Sequence, residues 1–382
     1  MNIVFCSRVD INPLKGGVEK VTIGLTEYFL AQGHKVFYVV LVQTETEIKY
    51  SVPVFYLVDK DPYSQSNIQE YNRILDYVSA DIVINQYAMS TPEVFLFSSI
   101  QNPAHKLINV LHNTPFALYK QFWQYTKSFS GVQFLIRTLL YPVLKLRYYN
   151  ARMQHFKMLD KTSDVIVTLC KKDMLELKPF IHKPKLTYIH NFINGSNADS
   201  FVDVKSKKKI MLMVSRMEKT EKAPQNLIPI WKEISSQCPD WHLKILGNGP
   251  DKDWVENEFR KAKLERYEFL GFQDPTPYYK EASIFSLVSN TEGFGVVLLE
   301  AMINQVVPFA YSSFNATYDV LFQETVVPAF DAREYATRVI DLIKNSNKLQ
   351  QLRNKYTDKV QDFAIDKIGT QWLQLFQSLQ KE

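Results

Sequence analysis

The residues best suited to chemistry lie between Ser289 and Met302, where the apolar run Ile284–Val288 is followed by a loop with two glycines. Small residues allow the main chain to approach a ligand closely, and the free N–H groups of a helix start, predicted near Val296, attract anions. Glu300 falls about one turn inside that helix, where its carboxylate can accept hydrogen bonds from both hydroxyls of a ribose. The pattern predicts a site for a nucleoside diphosphate.

Glu292 lies in the same loop, next to the predicted phosphate position. A carboxylate there is useful if it binds sugar hydroxyls or the positive charge that develops at an anomeric carbon. A glycine-rich loop between a strand and a helix is also typical of dinucleotide and phosphate binders in general. The pair of glutamates favours a nucleotide sugar over these alternatives.

Two cations and a histidine follow other predicted strands. Arg216 and Lys222 come after Ile210–Ser215, and His112 follows Lys106–Leu111. Because ligands of parallel sheets bind at the carboxyl ends of the strands, the cations can neutralise a leaving diphosphate without a metal ion. The alternatives are a solvated pair of surface charges and a histidine with a structural role.

The segment Glu292-Gly-Phe-Gly-Val-Val-Leu-Leu-Glu300 resembles the E-x7-E motif of retaining glycosyltransferases of the GT-B fold, family GT4. Further motifs occur in the family's order over nearly the whole chain: Gly16-Gly17-Val18-Glu19, Val110-Leu-His-Asn113, Ser215-Arg216…Lys222, Gly247-Asn-Gly-Pro250, Leu270-Gly-Phe272 and Tyr279-Lys-Glu-Ala-Ser283. Several motifs in the correct order are far more specific than one. The chain departs from the family at Lys222-Ala-Pro, where Lys-Gly is commoner, and at His190-Asn-Phe, where Pro-Asn-Gly is usual.

The resemblance implies an α/β architecture of two Rossmann-like, doubly wound domains that face each other across a cleft. Residues 1–200 would bind the acceptor and residues 201–382 the nucleotide-sugar donor, and the last helix is able to pack back on the first domain. Catalytic roles are implied for Glu292, Arg216, Lys222 and His112, the histidine as a hydrogen-bonding group rather than a base. Donor binding is assigned to Gly16, Gly17, Arg216, Lys222, Gly247, Phe272, Glu292, Gly293, Phe294, Gly295, Val296 and Glu300.

The expected activity is retaining transfer of a hexose from a nucleotide-diphosphate sugar, expected to be a UDP-sugar. The acceptor is expected to be a membrane-associated, lipid-linked saccharide in surface polysaccharide or lipopolysaccharide synthesis, and neither a cofactor nor a metal is expected. Two other classes stay open. A nucleotide-sugar epimerase of the same fold needs acidic residues that move a proton on the sugar ring. A non-catalytic partner subunit would be expected to lose Glu292, Glu300, Arg216 or Lys222, and this chain keeps all of them.

Two Asp-Lys-Asp triplets, Asp59–Asp61 and Asp251–Asp253, imitate the metal-binding DxD motif of the other large glycosyltransferase fold. The first leads into Pro62. The second follows Gly249-Pro250 and is typical of a helix N-terminus, where acidic residues are favourable. Neither lies in a site context and short motifs recur by chance, so we expect neither to bind a metal.

The segment between Glu93 and Asp160 contains no acidic residue. Its cations are Lys106, Lys120, Lys127, Arg137, Lys145, Arg147, Arg152 and Lys157, interleaved with Phe116, Leu118, Tyr119, Phe122, Trp123, Tyr125, Phe129, Phe134, Leu135, Ile136, Leu139, Leu140 and Tyr141. Basic and aromatic residues together are typical of a helix that lies on an anionic membrane surface. The alternative is a helical pair packed on its domain with a solvated basic face. No nucleic acid is expected, because no recognition fold accompanies the charge.

The elements that must position these residues alternate between short apolar runs and amphipathic stretches, which predicts parallel sheets covered by helices. Ile3–Cys6, a helix ending at Gly33 and Val36–Val42 form the first β-α-β unit. A polar stretch at Asn194–Lys209 predicts the domain linker. Further strands are predicted at Asp81–Asn85, Lys106–Leu111, Val165–Leu169, Leu186–Ile189, Ile210–Ser215, Leu243–Leu246, Tyr267–Leu270, Ile284–Val288 and Val306–Ala310.

The length of 382 residues suits two domains of about 150–200 residues each. The three cysteines, Cys6, Cys170 and Cys238, are far apart and form no CxxC pair, which favours a reducing compartment. The N-terminus enters an apolar strand without a basic region or cleavage site, and no uncharged apolar run reaches the ~20 residues of a membrane span. We expect a cytoplasmic protein that is peripheral at the inner face of the plasma membrane.

Overall fold

The computed structural model describes residues 1–12, 16–44, 48–129, 131–194 and 206–381. The strands are β1 Asn2–Val9, β2 Lys35–Val42, β3 Val54–Tyr56, β4 Ile82–Asn85, β5 Lys106–Leu111, β6 Val165–Thr168, β7 Lys185–Tyr188, β8 Ile210–Val214, β9 His242–Leu246, β10 Tyr267–Gly271, β11 Ile284–Leu287, β12 Val307–Tyr311 and β13 Val326–Val327. The helices are α1 Gly17–Ala31, α2 Gln65–Tyr77, α3 Thr91–Phe97, α4 Ala117–Lys120, α5 Phe122–Lys127, α6 Gly131–Leu139, α7 Tyr141–Thr162, α8 Lys171–Leu177, α9 Leu227–Gln237, α10 Lys252–Lys261, α11 Thr276–Glu281, α12 Val296–Ile303, α13 Thr317–Val320, α14 Ala332–Ile343, α15 Ser346–Lys359 and α16 Ile365–Leu379.

The chain divides into two compact units. Unit 1 comprises Met1–Pro115, Arg147–Asn194 and Ile365–Glu382, and unit 2 comprises Phe116–Leu146 and Gly195–Ala364. The division differs from the predicted boundary near residue 200 for residues 116–146, which group with unit 2. Residues 365–382 group with unit 1, which is the arrangement allowed for the last helix. Most of the predicted linker, residues 195–205, lies outside the described residues.

Unit 1 is built on a parallel sheet in the order β3-β2-β1-β4-β5-β6-β7. Its central strands are buried on both faces, which explains their continuous apolar runs. On α1, Phe29 stacks on Phe5 of β1, and its ring lies 5.2 Å from Phe376 of α16. Gly369 allows α16 this close to α1, because an added Cβ would lie 2.3 Å from the ring of Tyr28.

Unit 2 repeats the plan with a parallel sheet in the order β10-β9-β8-β11-β12-β13. Residues 116–146 are tied to it where the Gln121 side-chain amide donates to the carbonyl of Ser313, just beyond β12. In each sheet the strand order reverses once, between β1 and β4 and between β8 and β11. In doubly wound folds, ligands bind outside the carboxyl ends of the strands at this reversal.

The predicted strands all overlap observed ones, and the two short strands β3 and β13 were missed. Both missed strands lie at sheet edges and are only two or three residues long, so their sequences carry little periodic signal. The fold is therefore the predicted arrangement of two doubly wound α/β units.

Candidate active site

The loop after β11 leads into α12 without a side-chain cap. Gly295 precedes the helix with φ +77°, a backbone conformation that L side chains rarely adopt. Phe294 turns its ring into the core, 5.8 Å from the ring of Phe363, so its main chain faces the helix start. Gly293 is buried and Val296 is half-buried. The start of α12 therefore has no side-chain cap, and an uncapped helix N-terminus attracts anions; its role in binding the donor stays a prediction.

The loop after β8 is shaped by one carboxylate. Glu218 accepts hydrogen bonds from the main-chain N–H groups of Thr220, Glu221 and Lys222 and from the Thr220 hydroxyl. Burial favours the neutral acid, but these hydrogen bonds prevail and hold the pKa of Glu218 below its ordinary value. The loop is therefore a closed turn that presents the Lys222 side chain from a defined backbone position.

The two loops are joined directly at the point where the strand order reverses. The carbonyl of Glu221 accepts from the N–H groups of Asn290 and Thr291, at 2.7 and 3.2 Å. The Asn290 side chain donates to the carbonyl of Thr220, and Asn226 donates to the carbonyl of Val288. Residues distant in sequence therefore form one continuous surface beside the start of α12.

Lys222 and Glu292 form an ion pair on this surface, with 2.7 Å between Nζ and Oε1. The same carboxylate oxygen accepts from the Ser289 hydroxyl at 2.9 Å. Only 26% of the Lys222 side chain and 12% of the Glu292 side chain are exposed. Partial burial reduces solvent screening, so this pair interacts more strongly than a surface salt bridge. The structure brings together these two predicted catalytic residues.

Arg216 lies in the same loop but is more open. Its guanidinium is 3.7 Å from Glu221, and both side chains are more than half exposed. Such a pair is worth little in free energy, which leaves the guanidinium able to exchange its partner for a phosphate.

Asp251 binds the same loop, against our expectation that its triplet lies outside any site. Its carboxylate accepts from the N–H of Lys219 at 3.0 Å and lies 3.4 Å from the Lys219 ammonium. The second triplet also opens α10, as predicted. Asp59 and Asp61 accept hydrogen bonds from nearby main-chain N–H groups in an exposed turn. Among the described residues, no group of three or more His, Cys, Asp or Glu side chains is placed to hold a metal ion.

Glu300 lies on α12, where the hydroxyl of Tyr279 donates to its Oε2 at 3.1 Å. Tyr279 itself is fully buried. Burial, and then the charge of Glu300, raise the pKa of Tyr279 well above its ordinary value, so the phenol keeps its proton and acts as the donor.

Gly247 and Phe272 follow the neighbouring strands β9 and β10. An added Cβ at Gly247 would lie 1.8 Å from the carbonyl oxygen of Ser215, so glycine is required there by close packing of the main chain. Phe272 is 66% exposed and follows Gly271, which has φ +70°. An exposed ring in this position is available for stacking, and the donor-binding roles of both residues stay predictions.

In unit 1, His112 lies beyond β5 with its Nε2 against the side-chain carbonyl of Gln86, which follows β4. Burial lowers the pKa of His112 to about 4, so the ring is neutral near pH 7. Because Nε2 faces the side-chain oxygen of Gln86, Nε2 carries the single ring proton and Nδ1 is an acceptor. Gly16 precedes α1, and Glu19 in its first turn accepts from the hydroxyl of Tyr87 at 3.5 Å. Gly17 is the first residue of that helix.

The basic aromatic segment forms α4 to α6 and the start of α7. Arg137 lies 3.8 Å from the ring centre of Phe129, and Lys145 lies 4.7 Å from that of Tyr119. No residue of α6 is buried. An apolar stripe of exposed side chains runs along α6 and the start of α7 at spacings of three and four, namely Val132, Leu135, Leu139, Val143 and Leu146. In the described part of the chain, no helix combines the length and apolar character that a bilayer span needs.

A concave region of unit 2, about 550 Å³, lies elsewhere, near the amino ends of β8 to β10. Its lining cations are already paired: Lys208 lies 2.7 Å from Glu281, and Lys209 contacts Asp240. Because ligands of this fold bind at the opposite ends of the strands, the loops after β8 and β11 are the candidate site.

Sequence reasoning missed Glu218, Ser289, Tyr279 and Gln86 as site-building residues. Gln86 directly follows a buried strand, which is a signal that could have identified it. Glu218 precedes Thr220 by two residues, the spacing of a side chain that caps its own turn. The contact between Tyr279 and Glu300 has no local signal, because it joins two separate helices.

The comparisons with known proteins agree with this geometry. Residues 197–359 match the family described as glycosyl transferases group 1. An uncharacterized glycosyltransferase of Haemophilus influenzae is 23% identical over 94% of this chain and 95% of its own length.

A Campylobacter jejuni enzyme is 22% identical over 56% of this chain and 59% of its own length. It is an alpha-1,4-N-acetyl-D-galactosaminyltransferase that acts on a GalNAc-containing saccharide linked to PP-undecaprenol. HepE of Anabaena, solved with UDP and glucose, superposes with a TM-score of 0.73 at 14% identity over 98% of this chain and 99% of HepE. With two parallel doubly wound sheets, the chain has the GT-B fold, and residues 197–359 of it resemble the group 1 glycosyltransferases, which are hexosyltransferase-type enzymes.

Proposed function

We propose that this protein is a retaining glycosyltransferase that moves a hexose from a UDP-sugar to a lipid-linked saccharide during synthesis of a surface polysaccharide or lipopolysaccharide. The observation that carries the proposal is the junction of the two loops after β8 and β11. It gathers Arg216, Lys222 and Glu292 beside the uncapped start of α12, with Glu300 further along the same helix. HepE, which shares the fold, was solved with UDP, which supports a uridine nucleotide as the donor.

In the proposed reaction the bond between the anomeric carbon and the diphosphate oxygen breaks as a bond to the acceptor hydroxyl forms on the same face. The diphosphate leaves with the electron pair, and its oxygen takes the proton of the attacking hydroxyl. No protein base is needed. The N–H groups of α12 with Lys222 and Arg216 stabilise the charge on the leaving group without a metal ion. Glu292 then binds sugar hydroxyls or the charge developing at the anomeric carbon.

Lys222 has two successive partners in this scheme. Without a donor it pairs with Glu292 at 2.7 Å, which keeps its ammonium partly buried and oriented. A diphosphate carries more charge than one carboxylate, so it competes for the same ammonium when it binds. Preorientation of the cation lowers the reorganisation needed when charge develops in the transition state.

His112 serves as a hydrogen-bonding group for the sugar. Its pKa of about 4 makes the ring a weak base near pH 7, and Gln86 holds the Nε2 proton. The remaining lone pair on Nδ1 can accept a hydrogen bond from a sugar hydroxyl. A positioning hydrogen bond suits this environment better than general base catalysis does.

The lipid-linked acceptor and the membrane location are proposed from the apolar stripe and from the cations near it in sequence. The Campylobacter relative acts on an undecaprenol-linked saccharide, which supports an acceptor held in a membrane. Residues 116–146 carry four cations, Lys120, Lys127, Arg137 and Lys145, and no acid. At about 1 kcal/mol per cation near an anionic leaflet, charge alone gives only weak attachment. The stripe supplies the second signal that a stable peripheral contact at the cytoplasmic leaflet requires.

Transfer is tested by screening nucleotide sugars for thermal stabilisation and assaying the best donor with an undecaprenyl-diphosphate-linked saccharide in anionic vesicles. We expect a glycosidic product whose anomeric configuration, read by NMR, matches that of the donor. An inverted product would contradict retention. An epimerised nucleotide sugar formed without acceptor would favour the epimerase, and donor binding without any turnover would favour a non-catalytic subunit.

Membrane contact is tested separately by co-sedimentation with anionic vesicles. Replacing Lys120, Lys127, Arg137 and Lys145 with glutamine should release the protein from the vesicles. The double variant Leu135→Ser and Leu139→Ser should also release it. Each variant removes one of the two membrane signals, the positive charge or the apolar stripe. Trp123→Ala should weaken vesicle binding less than either of these variants does, since Trp123 is partly packed against Tyr141. The matched control carries glutamine at four other exposed lysines of unit 2, Lys208, Lys209, Lys261 and Lys355, and should pellet like the wild type.

The membrane proposal fails if either test variant pellets as the wild type does. Salt should weaken binding without abolishing it, because screening shortens the Debye length but leaves inserted side chains in place. Turnover of a short water-soluble acceptor should stay near normal in these variants, because none of the substituted residues belongs to the loops after β8 and β11.

A further inference from the structure

Glu300, the carboxylate assigned to the donor ribose, accepts a hydrogen bond from the hydroxyl of a buried tyrosine. Tyr279 extends from α11, and its hydroxyl lies 3.1 Å from Glu300 Oε2 and 3.5 Å from the carbonyl of Val297. A phenol has one proton to donate. The shorter and charge-assisted bond to the carboxylate is the stronger of the two, so the proton is directed at Glu300.

Tyr279 is itself held rigidly. Its side chain is fully buried, and its ring centre lies 5.7 Å from that of Phe285 on β11. Its main-chain carbonyl accepts from the Lys207 ammonium at 2.8 Å, and the same ammonium donates to Asn304 at the end of α12. A tyrosine has only two side-chain torsions, and packing restricts both here, so the hydroxyl has one position relative to α12.

We propose that Tyr279 is a positioning residue that orients the Glu300 carboxylate and thereby makes the site selective for ribonucleotides over 2′-deoxyribonucleotides. The proposal rests on the proposed donor-binding function of Glu300. A glutamate has three rotatable side-chain bonds, and ordering them on ligand binding opposes affinity. A carboxylate already oriented by Tyr279 meets the ribose hydroxyls without that loss.

The test is the dissociation constant of UDP and of 2′-deoxyuridine diphosphate, measured by calorimetry, with the ADP and GDP pairs alongside. Tyr279→Phe keeps the packed ring and removes only the hydroxyl. We expect it to weaken UDP binding about five- to tenfold and to weaken 2′-deoxyuridine diphosphate less, by about two- to threefold, since the deoxynucleotide keeps only the 3′-hydroxyl contact with Glu300. Glu300→Gln should remove the preference as well, and the double variant should lose no more than Glu300→Gln alone.

The matched control is Tyr335→Phe, which removes another fully buried hydroxyl of unit 2 that bonds to Ser286 and to the carbonyl of Phe309. It should lower Tm by a similar amount and keep the preference for UDP. Equal weakening of both nucleotides in Tyr279→Phe, or no change in either, would overturn the positioning role. If Glu300→Gln keeps the full ribose preference, or the wild type binds none of the three diphosphates, the proposed function fails and this role fails with it.

Discussion

The two sheets share one plan and differ in the charge gathered where the strand order reverses. In unit 2 the loops after β8 and β11 bring Arg216, Lys222 and Glu292 to partly exposed positions beside the start of α12. In unit 1 a carboxylate at the equivalent edge is held by hydrogen bonds within the unit. Asp10, beyond β1, is buried and accepts from Thr44, Tyr50 and Tyr56.

His112 at the unit 1 edge is also held by a hydrogen bond. His112 is neutral and bonded to Gln86. A doubly wound sheet therefore provides a place for a ligand, and the loop side chains decide whether that place suits a charged phosphate or a neutral, hydrogen-bonding sugar. This difference supports donor chemistry in unit 2 and acceptor recognition in unit 1.

The largest expected effect comes from removing the cations of unit 2. Lys222→Ala should lower kcat by roughly 10²-fold or more, because a preoriented charge that stabilises the leaving diphosphate is lost. Arg216→Ala should act in the same direction. Steady-state kinetics with the identified donor provide the measurement.

The control for these variants is Lys219→Ala, in the same loop. Lys219 pairs with Asp251 and lies 5.4 Å from the ring centre of Trp254, so we expect kcat to change by less than about threefold. Unchanged turnover in Lys222→Ala and Arg216→Ala would show both cations to be ordinary surface residues.

Between pH 7 and pH 4, acid should destabilise unit 1 more than unit 2. Burial lowers the pKa of His112 and of His155 to about 4, whereas the unfolded chain takes up these protons near pH 6.5. The free energy of unfolding should therefore be retained above pH 6.5 and fall as the pH decreases towards 4. For the fully buried His155 the loss can reach about 3 kcal/mol, and for the half-buried His112 it should be smaller.

Hydrogen exchange at pH 7 and pH 5 measures this difference segment by segment. Peptides from β4 to β6 should lose protection first, and His155→Gln should reduce the change. Unit 2 has its own lowered carboxyl pKa values, such as that of Glu218, but these carboxyls take up protons at a lower pH than an ordinary glutamate does. Earlier loss of protection in β8 to β12 would contradict the assignment.

Substitutions at two glycines with nearly the same φ distinguish the effect of backbone strain from an effect on donor binding. Gly33 and Gly295 have φ values of +78° and +77°. Alanine at either should lower the free energy of unfolding by about 1–2 kcal/mol through left-handed strain, and by more at Gly295, where the added Cβ would lie 3.1 Å from Leu298 and 3.2 Å from Leu287. Only Gly295→Ala should also weaken donor binding, because Gly295 precedes α12, and denaturant unfolding with donor titration distinguishes the two effects. Equal donor affinity in both variants would argue against the start of α12 as the diphosphate site.

The smallest expected effect is that of chelation. Activity should survive EDTA, since cations and helix N–H groups neutralise the diphosphate in the proposed mechanism. Loss of activity with EDTA and full recovery with Mn²⁺ would instead indicate that an Asp-Lys-Asp triplet binds a metal ion. One such triplet lies in each unit. Asp61→Asn and Asp251→Asn would then identify the triplet responsible.

Local sequence predicted a large part of this structure. The alternation of apolar runs located strands such as β5 and β8 closely, and the helix start at Val296 was placed correctly. These features depend on neighbours within one strand or one turn. The edge strand β3 and the grouping of residues 116–146 were missed, because both depend on partners distant along the chain.

The sequence by itself determined the two doubly wound units, the glycine-rich loop before α12, and the identity of the charged residues in the loops. The tertiary structure decided which of these residues meet. Lys222 pairs with Glu292 because Glu221 bonds to the main chain of Asn290, and Glu300 is oriented because Tyr279 approaches from α11. Contacts of this kind join residues more than twenty positions apart through packing and hydrogen bonds, and no local pattern of residue types records them.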